Sequence, residues 1–349
     1  WHIAAYSVLR IAYHASRITP HPMPSSIRLL SLGATHWLNT QAVYHALAET
    51  MTAESPDTII FAQPLQPYLC IGYHQELNSV LDRKACAEMS LPIVRRRVGG
   101  GATYLDVNQL FYQCIFHHTH VPAIITDVYA RLLAAPVATL KALGLNAELR
   151  DENEIEVNGK RIAGIGGGRI GESAVVVGNI LFDFDYNAMT RAWHVPSESF
   201  RRLASQSLRE RLTTLWSELP RPISPEEIQQ IMISEFARIL NRPLEPGKLT
   251  SVEEEKIKEV GKRLKSYNWL AMHQNGAKPM KSLKISRGVF IRAEELTMGE
   301  YQLRATFRVR DEMIEHAVLE SEPERDWGEA AVKLRGMKVK EWQKALDVF

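Results

Sequence analysis

Cysteine is scarce. Cys70, Cys86 and Cys114 are the only three in 349 residues and none forms a C-x-x-C pair. This argues against a disulfide framework or a zinc knuckle, and fits a reducing cytoplasm. Long apolar runs are missing as well: none approaches the ~20 residues of a membrane span. There is no excess of one charge, since 42 Lys and Arg against 40 Asp and Glu leave a formal net charge of +2. Such a chain has no general pull toward nucleic acid or a membrane surface. Internal repeats and low-complexity tracts are also missing. Two phosphate-binding signatures are absent at the one place they could be sought, "VRRRVGGGATY" (Val94 to Tyr104). No G-K-[ST] follows, so it is not a P-loop, and no helix opens there, so it is not a dinucleotide fingerprint.

The length fits two domains better than one. Residues 1–26 read as an N-terminal extension closed by Pro20, Pro22 and Pro24, with slight amphipathic, Arg-containing character and only weak targeting signal. "RLLSLG", "TIIFAQ", "YLCIGY", "PIVRRR" and "LFYQCIF" are β-rich runs, while "HWLNTQAVYHALAETM" and "SVLDRKACAEM" have helical spacing. A long helix is expected from about Ala123 to Leu143, stopped by Gly144. Ser224-Pro225-Glu226-Glu227 is a capping box with Pro at N1 and opens a helix to about Leu240; a second box, Ser251 to Glu254, opens another. The Pro/Gly-rich Asn241–Thr250 between them marks a boundary. The tail reads as strands "GVFIRAEEL", "YQLRATFRVR" and "MIEHAVLE" and a closing helix or two. The expected fold is α/β (mixed α+β): a large mixed-sheet domain over 27–245 flanked by helices, then a small α+β domain over 250–349.

Two glycine-rich stretches carry the chemistry. In the first, a strand delivers Arg95, Arg96 and Arg97 and then Gly99, Gly100 and Gly101, a combination of charge and approachable backbone N–H groups that suits a phosphate or acyl-phosphate. The bland reading is a loop with solvated arginines. The second is "EIEVNGKRIAGIGGG". Asn158-Gly159 suits both positive-φ positions of a type I′ turn. A two-residue hairpin sets Val157 opposite Lys160, Glu156 opposite Arg161 and Ile155 opposite Ile162. Alternation then puts Lys160 on an apolar face with Ile155 and Ile162, and Arg161 on a polar face with Glu154 and Glu156. Gly164 and Gly166–Gly168 add a second backbone-rich stretch, weak evidence for a ligand loop when taken alone.

Together these segments resemble the lipoate–protein ligase A family of the biotin/lipoate ligase superfamily. Its motif RRxxGGGxVxHDxGN reads here "RRRVGGGATYLDVNQ"; its N-D-[LIV] strand, K-[IV]-x-G turn and H-G-T strand read "NEIEVNGKRIAG" and "VVGNILF". "SQSLRERLTTLWSELP" resembles the segment closing the catalytic domain, and the tail, including "SYNWL", resembles the accessory domain, so the resemblance covers about 27–349. It implies that lipoate or octanoate reacts with Mg²⁺-bound ATP to give acyl-adenylate and pyrophosphate. The acyl group would then pass to a lysine of a carrier, an E2 lipoyl domain of a 2-oxoacid dehydrogenase or a glycine-cleavage H protein. The resemblance also implies that no metal would be held by protein ligands alone. By position, Arg96, Gly99, Gly100, Gly101, Ala102, Thr103, Tyr104, Asp106, Asn153, Glu154, Gly164, Gly178 and Asn179 would serve ATP or acyl-adenylate, and Gly72, Tyr73 and His74 the acyl pocket.

The chain departs from the family at several positions. Leu105 stands for the motif histidine, Asn108-Gln109 for G-N, Asn153-Glu154 for N-D and Val177-Gly178-Asn179 for H-G-T. The lysine that precedes [IV]-x-G is Arg161, so Arg161 is the first candidate for the catalytic cation and its neighbour Lys160 the second. An arginine fork matches carboxylate and phosphate geometry. Two other readings stand beside the ligase. A transferase without adenylation would need a nucleophile, and no cysteine lies near Ala163–Gly178. A degenerate lipoyl-domain binder would fit the altered positions. A biotin ligase is disfavoured because its GRGRxGR-type loop is absent.

Overall fold

The computed structural model describes residues 24–150, 152–273 and 278–346; the expected N-terminal extension, apart from Pro24 to Ser26, lies outside them. Strand β1 (Ile27–Thr35), helix α1 (Asn39–Thr50) and strands β2 (Thr58–Pro64) and β3 (Tyr68–Ile71) follow the expected order. The segment read as one helix around Ala85 is two short ones, α2 (Leu77–Val80) and α3 (Arg83–Glu88). Asp82 breaks it, because its carboxylate accepts from the N–H groups of Lys84 and Ala85 and caps a new start. Then come β4 (Ile93–Arg95), β5 (Thr103–Leu105), β6 (Gln109–His117) and α4 (Ile125–Ala142), which ends at Gly144 with φ of +81°.

The hairpin forms as its sequence dictates. β7 (Ala147–Arg150) pairs with β8 (Glu154–Val157), which turns through Asn158 (φ +52°) and Gly159 (φ +76°) into β9 (Lys160–Arg161). Val157 faces Lys160 and Glu156 faces Arg161. The glycine run that follows is no loop. It is strand β10 (Ala163–Ile170), paired along its whole length with β11 (Ser173–Leu181). Glycine is needed there for approach: a Cβ on Gly167 would lie 2.5 Å from the Tyr129 hydroxyl and 2.9 Å from the Val175 carbonyl.

Helices α5 (Tyr186–Ala192), α6 (Glu198–Arg211), α7 (Leu215–Glu218) and α8 (Pro225–Leu240) come next, the last with the Ser224–Glu227 box formed in both directions. β12 (Leu244–Pro246) leads to α9 (Ser251–Leu264), capped one residue earlier than expected because Thr250, not Ser251, exchanges bonds with Glu253. α10 (Tyr267–Leu270), the meander β13 (Ser282–Ser286), β14 (Val289–Met298), β15 (Tyr301–Arg310) and β16 (Met313–Glu322), then α11 (Gly328–Lys333) and α12 (Trp342–Leu346) complete the described chain.

The large sheet is mixed, in the order β10-β11-β6-β2-β1-β12. Strand alternation divides its faces. Ile59, Phe61, Tyr112 and Cys114 point to α4 and α8, where Phe61 meets Phe236 edge-on. Ile60, Ile115 and Val175 point to Tyr44 and Leu47 of α1. Each such side chain removed from water contributes about 1.5–3 kcal/mol. Helix α9 covers α1, with Val260 and Leu264 on Leu38, Ala42 and Ala46. The smaller C-terminal sheet presents Ile285, Val289 and Ile291 to α6, and Phe307 and Val309 to Trp342 and Leu334. The fold is therefore the expected mixed α/β architecture with a small C-terminal β unit. Among the described residues no helix is long and apolar enough to cross a membrane.

Candidate functional site

A cavity of about 430 Å³ lies over the α1-facing side of the large sheet. Its floor is two rows of paired residues. Gly164, Asn179 and Phe111 form one row across β10, β11 and β6, and Gly166, Val177 and Gln113 form the next. Walls come from Gln41 of α1, Cys70 of β3, the 96–103 segment, Leu208 and Leu212 beside α6, and β13.

The three arginines after β4 separate into three roles. Arg95 is fully buried and donates to the carbonyls of Gly72, Tyr73, Gln75, Trp269 and Leu270, at 2.5–3.1 Å. It ties the 72–75 turn to α10, and burial pulls its pKa below the ordinary arginine value. Arg97 points away and pairs with Glu49 at 3.0 Å. Only Arg96 lines the cavity. Most of its N–H groups are committed, to the carbonyls of Gly99 (3.0 Å), Gly101 (2.8 Å) and Cys70 (3.2 Å) and to the Cys70 Sγ (3.5 Å). Arg96 therefore moulds the glycine loop around its own side chain. A Cβ on Gly100 would lie 2.7 Å from its Nη2.

Arg161 differs. It lines the cavity and, among the described residues, its guanidinium has no hydrogen bond and no ion pair. Burial lowers its pKa, opposed by the Glu154 carboxylate. Glu154 is itself buried, accepts from the Arg287 N–H at 3.4 Å, and is the single carboxylate among the lining residues. Lys160 is exposed and does not line the cavity.

Of the other residues singled out in the sequence, Gly100, Gly101, Ala102, Thr103, Asn153, Gly164, Gly178 and Asn179 line the cavity. Asn179 Oδ1 accepts from the Gly164 N–H at 2.8 Å, and its Nδ2 donates to Gln109 Oε1 at 2.5 Å. Asp106 stands behind this chain, accepting from the Asn108 N–H and from Gln109, and burial raises its pKa. Gly99, Tyr104, Gly72, Tyr73 and His74 are also outside the lining. Tyr104 packs edge-on against Phe184, and the backbone of Gly72 lies so near Gly100 that a Cβ would fall 2.0 Å from its carbonyl oxygen. Tyr73 and His74 turn toward Trp269 and His273.

Sequence reasoning missed three contributions. β13 closes the cavity with Ser282, Leu283, Lys284 and Ile285, for which no motif gives warning. Gln41 and Gln113 sit in its wall, legible only as polar residues on otherwise apolar elements. Cys70, read as an inert thiol in a strand, is buried but also reaches the lining, with burial raising its pKa against the pull of Arg96. Among the described residues one cluster has metal-ligand spacing, His117, His118 and Glu172, at the turn end of β10–β11 and outside the lining.

The cavity is floored by the mixed sheet, bordered by the small β unit, and has the Arg161 guanidinium at its wall. The chain belongs to the lipoyl protein ligase A/B catalytic domain family, whose model matches residues 38–237. It is 26% identical over 266 residues to the octanoyltransferase LipM of Moorella thermoacetica, spanning 70% of this chain and 97% of that protein. It is 24% identical over 260 residues to lipoate–protein ligase 1 of Staphylococcus aureus, 72% of each chain. In fold it resembles the archaeal bipartite lipoate protein ligase of Thermoplasma acidophilum, with a TM-score of 0.67 and 22% identity over 72% of this chain and 99% of that one.

Proposed function

We propose that this protein activates lipoate or octanoate with ATP and transfers the acyl group to a lysine of a lipoyl-carrier protein. The observation that carries the reading is the uncommitted Arg161 guanidinium in a cavity closed by β13. In the first step a carboxylate oxygen of the acid bonds to the α-phosphorus of ATP and the bond to pyrophosphate breaks. In the second, the carrier lysine amine bonds to the acyl carbon and AMP leaves. Arg161 holds the acid's carboxylate and the α-phosphate, charges that need fixed donors in a water-poor site. The Gly100–Thr103 backbone, with Asn153 and Asn179, positions the nucleotide. Glu154, backed by the Arg287 N–H, orients Arg161. With one carboxylate in the lining, Mg²⁺ arrives on the ATP phosphates and is not held by the protein alone. The carrier is an E2 lipoyl domain or a glycine-cleavage H protein, and three buried free thiols fit a reducing, cytoplasmic setting. The direct test is mass gain of an apo lipoyl domain incubated with the protein, acid, ATP and Mg²⁺.

A second reading is favoured by one observation. Cys70 lies in the lining, and the LipM relatives are octanoyltransferases. Transfer through a Cys70 thioester would need no ATP. Against it, burial pushes this thiol up, away from the thiolate a nucleophile requires. Loss of transfer in Cys70→Ser, with activity independent of ATP, would establish it.

A further inference from the structure

Two buried carboxamides in the cavity wall have a fixed orientation, and a proton count shows it. Thr40 Oγ1–H donates to the Trp37 carbonyl at 2.6 Å, which uses its only hydrogen. Tyr68 Oη, 2.7 Å from Thr40 Oγ1, must then be the donor in that pair. The Tyr68 oxygen can therefore only accept from Gln41, so the group 2.8 Å away is Nε2. Gln41 Oε1 is left as a pure acceptor. Gln113 is fixed more simply, because its Nε2 donates to the Thr40 carbonyl at 2.6 Å. Its Oε1 is likewise a pure acceptor. Both oxygens are buried without a donor, and both residues are at least nine-tenths buried and line the cavity.

The Gln113 acceptor lies far from the Arg161 cation. Gln113 shares a row with Gly166, two strands across from β10 and five residues beyond Arg161, roughly 15–20 Å by strand geometry. That span accommodates an arginine side chain and a medium-chain acid end to end. An all-carbon chain end would leave both acceptors dry and unpaired, whereas a chain end with O–H, N–H or S–H groups would satisfy them.

Resting on the ligase or transferase reading above, we infer that the cavity discriminates among medium-chain carboxylic acids in favour of those carrying hydrogen-bond donors at the end remote from the carboxylate. Gln41 and Gln113 are then specificity-determining residues. The donor can be the thiols of a reduced dithiol acid or the ureido N–H groups of a bicyclic acid; both present the same chemistry to the two oxygens.

The test is equilibrium binding to the full chain by calorimetry. The probes are 8-hydroxyoctanoate and nonanoate, equal in length and differing in O–H against CH₃. The hydroxy acid should bind at least tenfold more tightly, because a site built for a donor rejects the analogue that lacks it. Gln113→Leu should erase or reverse that preference. Dihydrolipoate and biotin form the second pair of arms, and the tighter of them names the natural donor. Equal or tighter binding of nonanoate by the unmodified protein overturns the inference while leaving the acyl-transfer reading intact. If none of the four acids binds below millimolar concentration, activation of a free acid falls and this inference with it. The wild-type comparison needs no variant, so a Gln113→Leu protein that fails to fold does not weaken it.

Discussion

Replacing Arg161 separates a catalytic cation from a structural one. Among the described residues its guanidinium reaches the cavity without a hydrogen bond. Truncation to alanine removes a desolvated charge but leaves the buried Glu154 carboxylate without it; the two effects oppose, so folding stability should change by no more than about 1 kcal/mol. The effect on chemistry should be large. Losing a preorganised donor aimed at developing charge costs about 3–4 kcal/mol, or roughly 10²–10³ in rate. Arg161→Lys keeps the charge but not the fork and should retain partial activity. Lys160→Ala, at an exposed side chain beside Arg161 on the same two-residue strand, should stay within about twofold of wild type, as is usual for isolated surface changes. The assay is pyrophosphate release with lipoate or octanoate and ATP, read beside urea unfolding of each variant. An Arg161→Ala protein that keeps more than a tenth of its activity, or a Lys160→Ala protein that loses it, refutes the assignment.

Three further predictions concern the frame of the site. Gly178→Ala places a Cβ 2.3 Å from the Tyr112 ring and should cost about 1–3 kcal/mol in urea unfolding. Asp57 is buried between His120 (2.9 Å) and Arg242 (2.6 Å), so Arg242→Met should destabilise by about 3–5 kcal/mol, and an unchanged midpoint would deny that the pair matters. Burial lowers the His45 pKa to about 3, and the ring is satisfied as a neutral imidazole between the Gln41 carbonyl and the Arg97 N–H. The unfolded chain then binds the extra proton first. Stability is present in full above about pH 6.5 and drains away as pH falls toward 3. His45→Asn should flatten that part of the pH–stability curve.

Much of the frame was legible because short-range physics dictates it. Asn158-Gly159 could only be a primed turn, and from that the separation of Lys160 and Arg161 onto different faces followed without any tertiary information. The Ser224 box was equally local. What the sequence hid depends on distant partners. The G-x-G-G-G run looks like a ligand loop because glycine has no strand preference, and it is a strand because Tyr129 and Val175 leave no room for a side chain at Gly167. The row Arg95–Arg97 looks like one anion site. Its members divide because Trp269 and Leu270 supply buried carbonyls to one and Glu49 a carboxylate to another. The share of β13 in the cavity, and the pairing of Gln41 with Gln113 through Thr40, join residues far apart in the chain and leave no local trace.

The central claim is ATP-dependent acyl transfer, and one mass spectrum tests it. An apo lipoyl domain is incubated with this protein, Mg²⁺ and lipoate or octanoate, with and without ATP. The account predicts that the carrier gains one acyl mass only when ATP is present, and that Arg161→Ala abolishes the gain from free acid. A gain that ignores ATP and requires an already acylated donor protein, or no gain even from presynthesised acyl-adenylate, would contradict it.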